Sequence, residues 1–188
     1  MAKITVIYAG DYGNTEKMAH AAKEGAQNIE GTEVVIKQAE EVTSEDFESS
    51  DGVILGTPVH MGGPDWRVKK MIDTVCAGLW MQNRMNGKVV GVFASGGGFG
   101  NGGGGVELTF VSMLNNFAEL GMIIVPLPKN TENYEKGGLQ WGPYGRSADE
   151  SMAHTGVSDE ALEVVKRHAA NVTKVAARLK DQEIFTRG

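Results

Sequence analysis

Short apolar runs alternate with segments of helical periodicity along almost the whole of this 188-residue chain. The runs are rich in β-branched residues and too short for helices, which is typical of strands that are covered on both faces. The predicted strands are Ile4–Tyr8, Glu33–Lys37, Gly52–Gly56, Val89–Ala94 and Met122–Val125. This alternation predicts an α/β fold, a doubly wound five-stranded parallel sheet with right-handed crossovers. For five such strands the common order is 2-1-3-4-5.

The segments between these strands place apolar residues on one helical face. The predicted helices are Glu16–Asn28, Arg67–Ala77, Val106–Leu120 and a closing helix from Ser158 to about Lys180. Thr43 and Asp46 have the spacing of a capping box and predict a short helix before the third strand. The chain length favours one domain over residues 1–188. Within it, Leu127–Ala153 is an irregular excursion that we interpret as a lid or an oligomer contact, with a mobile loop as the alternative.

Charge and composition exclude several classes of partner. The net charge is −6 and no block of Lys and Arg occurs, which argues against nucleic acid and anionic membranes. The first residues lack an apolar signal region, and no run approaches the ~18 apolar residues of a spanning helix. We therefore expect a cytoplasmic protein without membrane insertion. The one cysteine, Cys76, excludes an internal disulfide and lies in a helical apolar pattern, which predicts a core thiol.

Three loops are expected to meet at one edge of the sheet. In the predicted order, strands one, three and four are neighbours, and the loops after them converge at the topological switch point. These loops are Gly10–Thr15, Thr57–Asp65 and Ser95–Gly105. The first predicts an anion cradle, because free amides, hydroxyls and a helix dipole bind phosphate without a basic side chain. Its spacing fits neither a dinucleotide fingerprint nor an ATP-type P-loop, so it favours a terminal phosphomonoester over an ordinary capped turn.

The other two loops suit a flat ligand. Glycines in Ser95–Gly105 would let the backbone approach a ligand closely. A flexible linker inside one domain would instead cost conformational entropy with no compensating contact. The stretch Thr57–Pro64 would hold backbone N–H and C=O groups in a fixed fan for the polar edge of a heterocycle. Phe99 either lies near a planar ring or is a hydrophobic pin, and His60 either donates a proton or is a solvated loop histidine.

The chain lacks the residues that several other chemistries require. A receiver domain needs an acidic residue where this chain has Gly56-Thr57, and a hydrolase elbow needs G-x-S-x-G, which Ser95 does not provide. A low-molecular-weight phosphatase needs the motif C-x₅-R. The residue at the arginine position, counted from Cys76, is Gln82. The four histidines show no metal-ligand spacing, so no metal is expected. These patterns indicate a cofactor that carries the chemistry while the protein binds and orients it.

Motifs spread over nearly the whole chain resemble those of flavodoxin-like FMN-binding proteins, and within them the WrbA-type NAD(P)H:quinone oxidoreductases. The matching pieces are Tyr12-Gly13, Gly56-Thr57-Pro58, Ala77–Trp80, the glycine-rich loop from Ser95, Gly121–Pro126 and Gly142–Gly145. Each motif is weak alone, but their joint occurrence in family order is fairly specific.

The resemblance implies FMN as cofactor, with its phosphate on the first loop and its ring between the other two. The candidate cofactor-binding residues are Gly10, Asp11, Tyr12, Gly13, Asn14, Thr15, Thr57, Pro58, Val59, His60, Met61, Gly62, Ser95, Gly96, Gly97, Gly98, Phe99 and Gly100. It also implies NAD(P)H as co-substrate, with Tyr12 near the nicotinamide nucleotide and Trp80 near the quinone. The flavin would carry the chemistry, with His60 and Trp80 as candidate catalytic residues in a homo-oligomer, a dimer or a tetramer.

The leading hypothesis is therefore an FMN-dependent NAD(P)H:quinone oxidoreductase. The alternative is a flavodoxin that carries electrons between protein partners, with Phe99 and Trp66 flanking the flavin ring. A third hypothesis is a regulatory module that binds FMN without turnover. The excursion and Trp80 favour the enzyme. Since Asp11 places a carboxylate inside a loop meant for a dianion, we predict that its side chain points to solvent while its N–H faces the phosphate.

Overall fold

The computed structural model describes residues 1–186; the last two residues of the expected domain, 187 and 188, lie outside that part. The strands are β1 (Ala2–Tyr8), β2 (Thr32–Gln38), β3 (Gly52–His60), β4 (Gly63–Pro64), β5 (Val89–Gly96), β6 (Ile123–Ile124), β7 (Gly138–Leu139) and β8 (Gly142–Arg146). The α-helices are α1 (Asn14–Gln27), α2 (Ser44–Glu48), α3 (Trp66–Met71), α4 (Ala77–Met81), α5 (Val106–Glu119), α6 (Tyr134–Gly137) and α7 (Asp159–Leu179). Single turns of 3₁₀-helix occur at Ala39–Glu41 and Phe99–Asn101.

The first four positions of the sheet confirm the predicted parallel order. β2, β1, β3 and β5 lie side by side in that order, and Val6 pairs with Ile54, which pairs with Gly91. The chain crosses between them through helices, as short β-branched runs separated by amphipathic segments require. This arrangement brings the C-terminal ends of β1, β3 and β5 to one edge.

The fifth position of the sheet is divided between two strands. β6 pairs with Val89 and Val90 at the start of β5, whereas β8 runs parallel to its end. The predicted fifth strand is shortened because Pro126 and Pro128 follow it, and proline has no amide hydrogen for the ladder. The excursion Leu127–Ala153 is therefore not irregular throughout: it supplies α6, the antiparallel β7–β8 pair and a strand that completes the sheet.

Two apolar layers cover the faces of the sheet. Val53 and Leu55 of β3 face the core with α5, whereas Ile54 between them faces the core with α1 and α7. Gly25 lets α1 approach α7 closely, since a Cβ there would lie 2.1 Å from the Lys166 carbonyl oxygen. The closing helix begins after Ser158, whose hydroxyl accepts a hydrogen bond from the Ala161 amide as the predicted cap requires.

The third helix is longer and less regular than the predicted Arg67–Ala77. α3 passes through a π-helical segment, Ile72–Cys76, into α4, which ends at Met81. Cys76 is buried in this segment, and burial raises the pKa of its thiol to about 12, which confirms a core thiol. Within residues 1–186 no helix combines the length and apolar character needed to cross a bilayer.

β3 extends four residues past its predicted end at Gly56. Thr57–His60 continue the strand and turn back into β4, with Val59 opposite Pro64 and His60 opposite Gly63. A loop over Thr57–Asp65 was expected because of its glycines and prolines, but Met61 and Gly62 both adopt positive φ and close a two-residue hairpin turn. The second predicted loop is thus a rigid hairpin.

Candidate functional site

The first loop presents unpaired amides at the start of α1. Gly13 adopts a left-handed conformation, φ 77°, and no side chain caps the helix. Within residues 1–186 the amides of residues 11–16 have no hydrogen-bond acceptor, and the first intrahelical bond runs from the Lys17 amide to the Gly13 carbonyl. Free amides at the positive end of a 14-residue helix are the donors that the predicted anion cradle requires.

A buried hydroxyl pair joins this loop to the glycine-rich loop. Thr15 and Ser95 are 2% and 3% exposed, and their oxygens lie 2.8 Å apart. Thr15 uses its hydroxyl for this contact and does not cap α1. The pair joins the first turn of α1 to the end of β5 at the floor of the cavity.

A chain of charged groups joins the first loop to the hairpin. Asp65 is completely buried and accepts hydrogen bonds from the Arg67 amide, from Arg67 Nε at 2.8 Å and from Arg67 Nη2 at 2.7 Å. Arg67 Nη2 also lies 2.8 Å from Asp11 Oδ2, and His60 Nδ1 lies 3.1 Å from Asp65 Oδ2. The guanidinium therefore bridges the first loop and the hairpin.

The pKa values of this bridge follow from its geometry. Burial raises the pKa of the Asp65 carboxyl, but hydrogen bonds from Arg67 and the charges of Arg67 and His60 outweigh it, so the pKa lies below its ordinary value. Hydrogen bonds to Asp65 and Asp11 raise the pKa of Arg67. Although ligand atoms of Asp11, His60 and Asp65 lie within 4.8 Å of one another, the Arg67 guanidinium already pairs with both carboxylates. The cluster is an ion-pair bridge.

Two expectations about this region need correction. The Asp11 side chain is half-exposed, as predicted, but it is paired with Arg67 and not merely solvated. His60 was interpreted as a proton donor or a solvated loop histidine without a nearby carboxylate, yet it contacts Asp65. Nothing in the sequence indicated the hairpin. Its turn places Asp65, five positions after His60, beside the His60 ring.

The cavity between these loops has a volume of about 210 Å³. The predicted residues that line it are Asp11, Tyr12, Asn14, Thr15, Pro58, Val59, His60, Ser95, Gly96 and Gly97. The predicted residues outside its lining are Gly10, Gly13, Thr57, Met61, Gly62, Gly98, Phe99, Gly100 and Trp80. The three loops thus converge as expected, but the outer part of the glycine-rich loop, with Phe99 79% exposed, lies away from the cavity.

Some residues outside the cavity support it from behind. The Thr57 hydroxyl is buried and accepts a hydrogen bond from the Asp65 amide, which closes the hairpin. Gly62 lies against Gly105 at the start of α5, where a Cβ on Gly105 would lie 2.6 Å from Gly62 Cα. Trp80 is half-exposed on α4, so the structure does not bring it to the site.

A fourth segment completes the cavity and was missed in the sequence. It follows β8, contributes Ser147, Ala148, Met152 and His154, and closes on itself through a bridge between Ala148 and His154. The His154 ring lies 6.0 Å from the Tyr12 ring, across the cavity mouth. β8 ends at the same sheet edge as β5, which explains the placement; the only signal in the sequence was the Gly142–Gly145 motif.

This chain is similar to known flavodoxins over most of its sequence. The family profile described as flavodoxin matches residues 6–121. A curated flavodoxin from Aquifex aeolicus (strain VF5) is 41% identical over 120 residues, and this match covers 64% of each chain. The matched part thus spans somewhat less than two thirds of that relative's length.

Solved structures show the same fold over nearly the whole chain. A flavodoxin, WrbA-like protein from Agrobacterium tumefaciens has a TM-score of 0.73 at 24% identity, covering 96% of this chain and 100% of that one. Oxidised Flavodoxin 2 from Bacillus cereus has a TM-score of 0.62 at 23% identity, covering 94% and 99%. At these identities the likeness shows the fold alone, and the narrower resemblance to WrbA-type proteins stays a prediction.

The expected NAD(P)H:quinone oxidoreductase is wrong. The matching family and the 41% identical relative are flavodoxins, which are electron carriers and not NAD(P)H dehydrogenases. Without that activity, nothing supports NAD(P)H as co-substrate or a quinone as acceptor, nor the roles predicted for Tyr12 and Trp80 toward them. The flavodoxin alternative is better supported. The homo-oligomer stays a prediction. The profile match and the converging loops together show that this chain belongs to the flavodoxin family.

Proposed function

We propose that this chain is a single-domain flavodoxin that binds FMN and carries electrons between protein partners. The observation that carries the proposal is the meeting of free α1 amides with Ser95–Gly97 in one cavity, joined beneath by Thr15 and Ser95. The flavodoxin family supplies the identity of the cofactor.

The first loop fits a phosphomonoester. Unpaired amides of residues 11–16 and the α1 dipole offer donors for a dianion, and Asn14 adds a side-chain amide in the cavity lining. The loop's own carboxylate, on Asp11, is paired with Arg67, whose single positive charge is shared with Asp65. A phosphate on this loop would therefore meet the free amides, while Arg67 holds the Asp11 side chain.

The remaining walls fit a flat ring. Pro58 and Val59 form an apolar wall on the hairpin, and Gly96 and Gly97 lie beside them at the end of β5, where they present backbone without side chains. Gly97 is already closely covered, since a Cβ on it would lie 2.8 Å from Met152 Cε. When bound here, FMN would supply the redox chemistry, while these residues hold its ring and exclude water from it.

The mouth of the cavity suits contact with a protein partner. Tyr12 is 77% exposed, Met61 at the hairpin tip is fully exposed and Met152 is 45% exposed. Apolar side chains around a cofactor edge favour protein contacts, since exposed apolar patches mark interaction sites. We expect electrons to pass to a partner seated on these residues.

Flavin binding tests the first half of the proposal. We would titrate flavin-free protein with FMN and with riboflavin, following the quenching of flavin fluorescence. We expect FMN to bind at least tenfold more tightly than riboflavin, because only FMN has the phosphate. Thr15→Ala should reduce this preference, whereas Thr131→Ala, at a threonine of the excursion outside the cavity lining, should leave it unchanged. A protein that binds neither flavin would overturn the proposal.

Electron transfer tests the second half. We would reduce the FMN-loaded protein with dithionite without oxygen, remove the excess, and mix the protein with oxidised cytochrome c. We expect the absorbance of reduced cytochrome c to appear. With NADH or NADPH alone and no added reductase, we expect no consumption of the nucleotide. Multiple turnovers of either nucleotide would overturn the assignment as a carrier.

A further inference from the structure

One side chain from outside the three loops holds the glycine-rich loop in place. Arg146, the last residue of β8, donates from Nη1 to the Gly97 carbonyl at 3.0 Å and from Nη2 to the Gly98 carbonyl at 2.7 Å. Both nitrogens also lie 3.2 Å from the Gly102 carbonyl oxygen. The planar fork of a guanidinium is suited to such a set of acceptors, which a single ammonium cannot reproduce.

Arg146 is not engaged elsewhere. Among residues 1–186 no carboxylate lies within 4.0 Å of its guanidinium, so its charge is met by carbonyl dipoles of the loop. A half-buried arginine without an acidic partner is costly to desolvate unless its donors are satisfied. Here the two terminal nitrogens, Nη1 and Nη2, donate to carbonyls of the loop itself.

Few other contacts fix the shape of the outer loop: the Gly100 amide donates to the Glu150 carbonyl at 3.1 Å, and the Asn101 side-chain amide donates to the Glu150 carboxylate at 3.3 Å. The loop contains almost no side chains, and Gly98 and Gly100 adopt φ values of 68° and 60°. The backbone folds on itself so closely that a Cβ on Gly98 would lie 1.9 Å from the Gly102 carbonyl oxygen. Glycine backbones lose more conformational entropy on ordering than any other residue, so a loop of this composition needs an external anchor.

Anchoring the carbonyls also orients the amides. In a planar trans peptide the C=O and the following N–H point in opposite directions. The carbonyls of Gly97 and Gly98 face Arg146, so the amides of Gly98 and Phe99 face away from it. Within the described residues neither amide has a hydrogen-bond acceptor. Arg146 therefore determines where two free donors of the loop point.

We infer that Arg146 is a positioning residue, which holds the glycine-rich loop in the conformation that receives the flavin ring. The inference rests on the proposed function, since it takes the ligand of the cavity to be FMN. Neighbouring residues act in the same direction: the Tyr144 hydroxyl and the Ser147 amide both donate to the Gly96 carbonyl, at 2.9 and 3.0 Å. The excursion thereby contributes to the cofactor site through β8.

The test separates the ring from the phosphate. We would measure the dissociation constants of FMN and riboflavin for wild type, Arg146→Gln and Arg146→Lys. We expect Arg146→Gln to weaken both ligands about tenfold and to leave their ratio unchanged, because the loop faces the ring. Arg146→Lys should recover less than half of the loss on a logarithmic scale. The matched control is Arg167→Gln, at an exposed arginine of α7 that pairs with Glu132, and it should match wild type.

The outcomes are distinct. Wild-type affinity for both flavins in Arg146→Gln would overturn the inference, as would a loss restricted to FMN, which would indicate an effect on the phosphate. Full recovery in Arg146→Lys would also overturn it, since charge alone would then suffice. If Arg146→Gln does not fold, judged by its thermal unfolding without flavin, Arg146→Lys carries the test by a loss of at least threefold for both ligands. Failure of wild type to bind either flavin would instead reject the proposed function.

Discussion

Thr15 Oγ1 and Ser95 Oγ lie 2.8 Å apart beneath the cavity, and both side chains are almost completely buried. They belong to segments 80 residues apart in the chain that the parallel sheet brings together. Because each hydroxyl has the other as its partner, the loss of one leaves a buried polar group unpaired. The pair thus links the first loop and the glycine-rich loop energetically as well as in space.

Ser95→Ala should therefore lower the free energy of unfolding by about 1–3 kcal/mol, the cost of one unsatisfied buried group. The double variant Thr15→Val with Ser95→Ala should be less destabilised than the sum of the two single variants, because it leaves no orphaned hydroxyl. Urea unfolding of flavin-free protein measures this. Additive effects would show that the two hydroxyls are independent.

The sequence predicted what depends on local pattern and missed what depends on turns and register. Runs such as Ile4–Tyr8 identified the central strands because buried parallel strands are continuously apolar. β8 has the sequence Gly-Pro-Tyr-Gly-Arg, which carries no strand pattern; its position beside β5 comes from the packing of Gly142 and Tyr144. The His60–Asp65 contact was equally hidden, since it requires a hairpin that closes at Met61 and Gly62.

Asp65→Asn should lower the free energy of unfolding at pH 7 by about 1.5–3 kcal/mol, the value of a hydrogen bond to a charged group. The pKa of Asp65 is lower in the folded protein, so its stabilisation is complete above the ordinary carboxyl pKa and is lost as the pH falls through the folded value. The difference between wild type and variant should thus shrink below about pH 4. Urea unfolding from pH 7 to pH 3 measures it.

Asp73→Asn is the matched control for Asp65. Asp73 is exposed and pairs with Lys69 one helical turn earlier, and such surface pairs contribute about 0–1 kcal/mol. We expect it to change stability little at any pH. An equal loss in both variants would contradict a special role for the buried carboxylate.

The buried side chain of His168 leads us to predict a second pH dependence of the free energy of unfolding. It is buried on α7 beside Gly91, and neither ring nitrogen has a hydrogen-bond partner among the described residues. Burial lowers its pKa to about 4, so the unfolded chain takes up a proton that the folded protein refuses. Stability should fall by up to about 1.4 kcal/mol per pH unit as the pH drops from about 6.5 toward 4.

His168→Leu should remove this part of the pH dependence, because leucine does not titrate in either state. The control is His20→Gln at an exposed position of α1, which should retain the wild-type slope. The measurement is the free energy of unfolding at pH 7 and pH 4.5 for all three proteins. An identical slope in His168→Leu and wild type would show that other groups account for the acid sensitivity.

Glycine-to-alanine substitutions test how the hairpin is held against the glycine-rich loop. Gly105 adopts a φ of 95°, and a Cβ on it would lie 2.6 Å from Gly62 Cα, so Gly105→Ala should cost about 1–3 kcal/mol of backbone strain plus the displacement of the hairpin. Gly78 on α4 is the matched control: a Cβ there meets nothing within 4 Å, and Gly78→Ala should stabilise by up to about 1 kcal/mol. Thermal and urea unfolding measure both changes.

Because the hairpin carries Val59 and His60 into the cavity, Gly105→Ala should also weaken flavin binding, whereas Gly78→Ala should not. Equal stability shifts in the two variants would show that the contact between Gly62 and Gly105 does not constrain the hairpin.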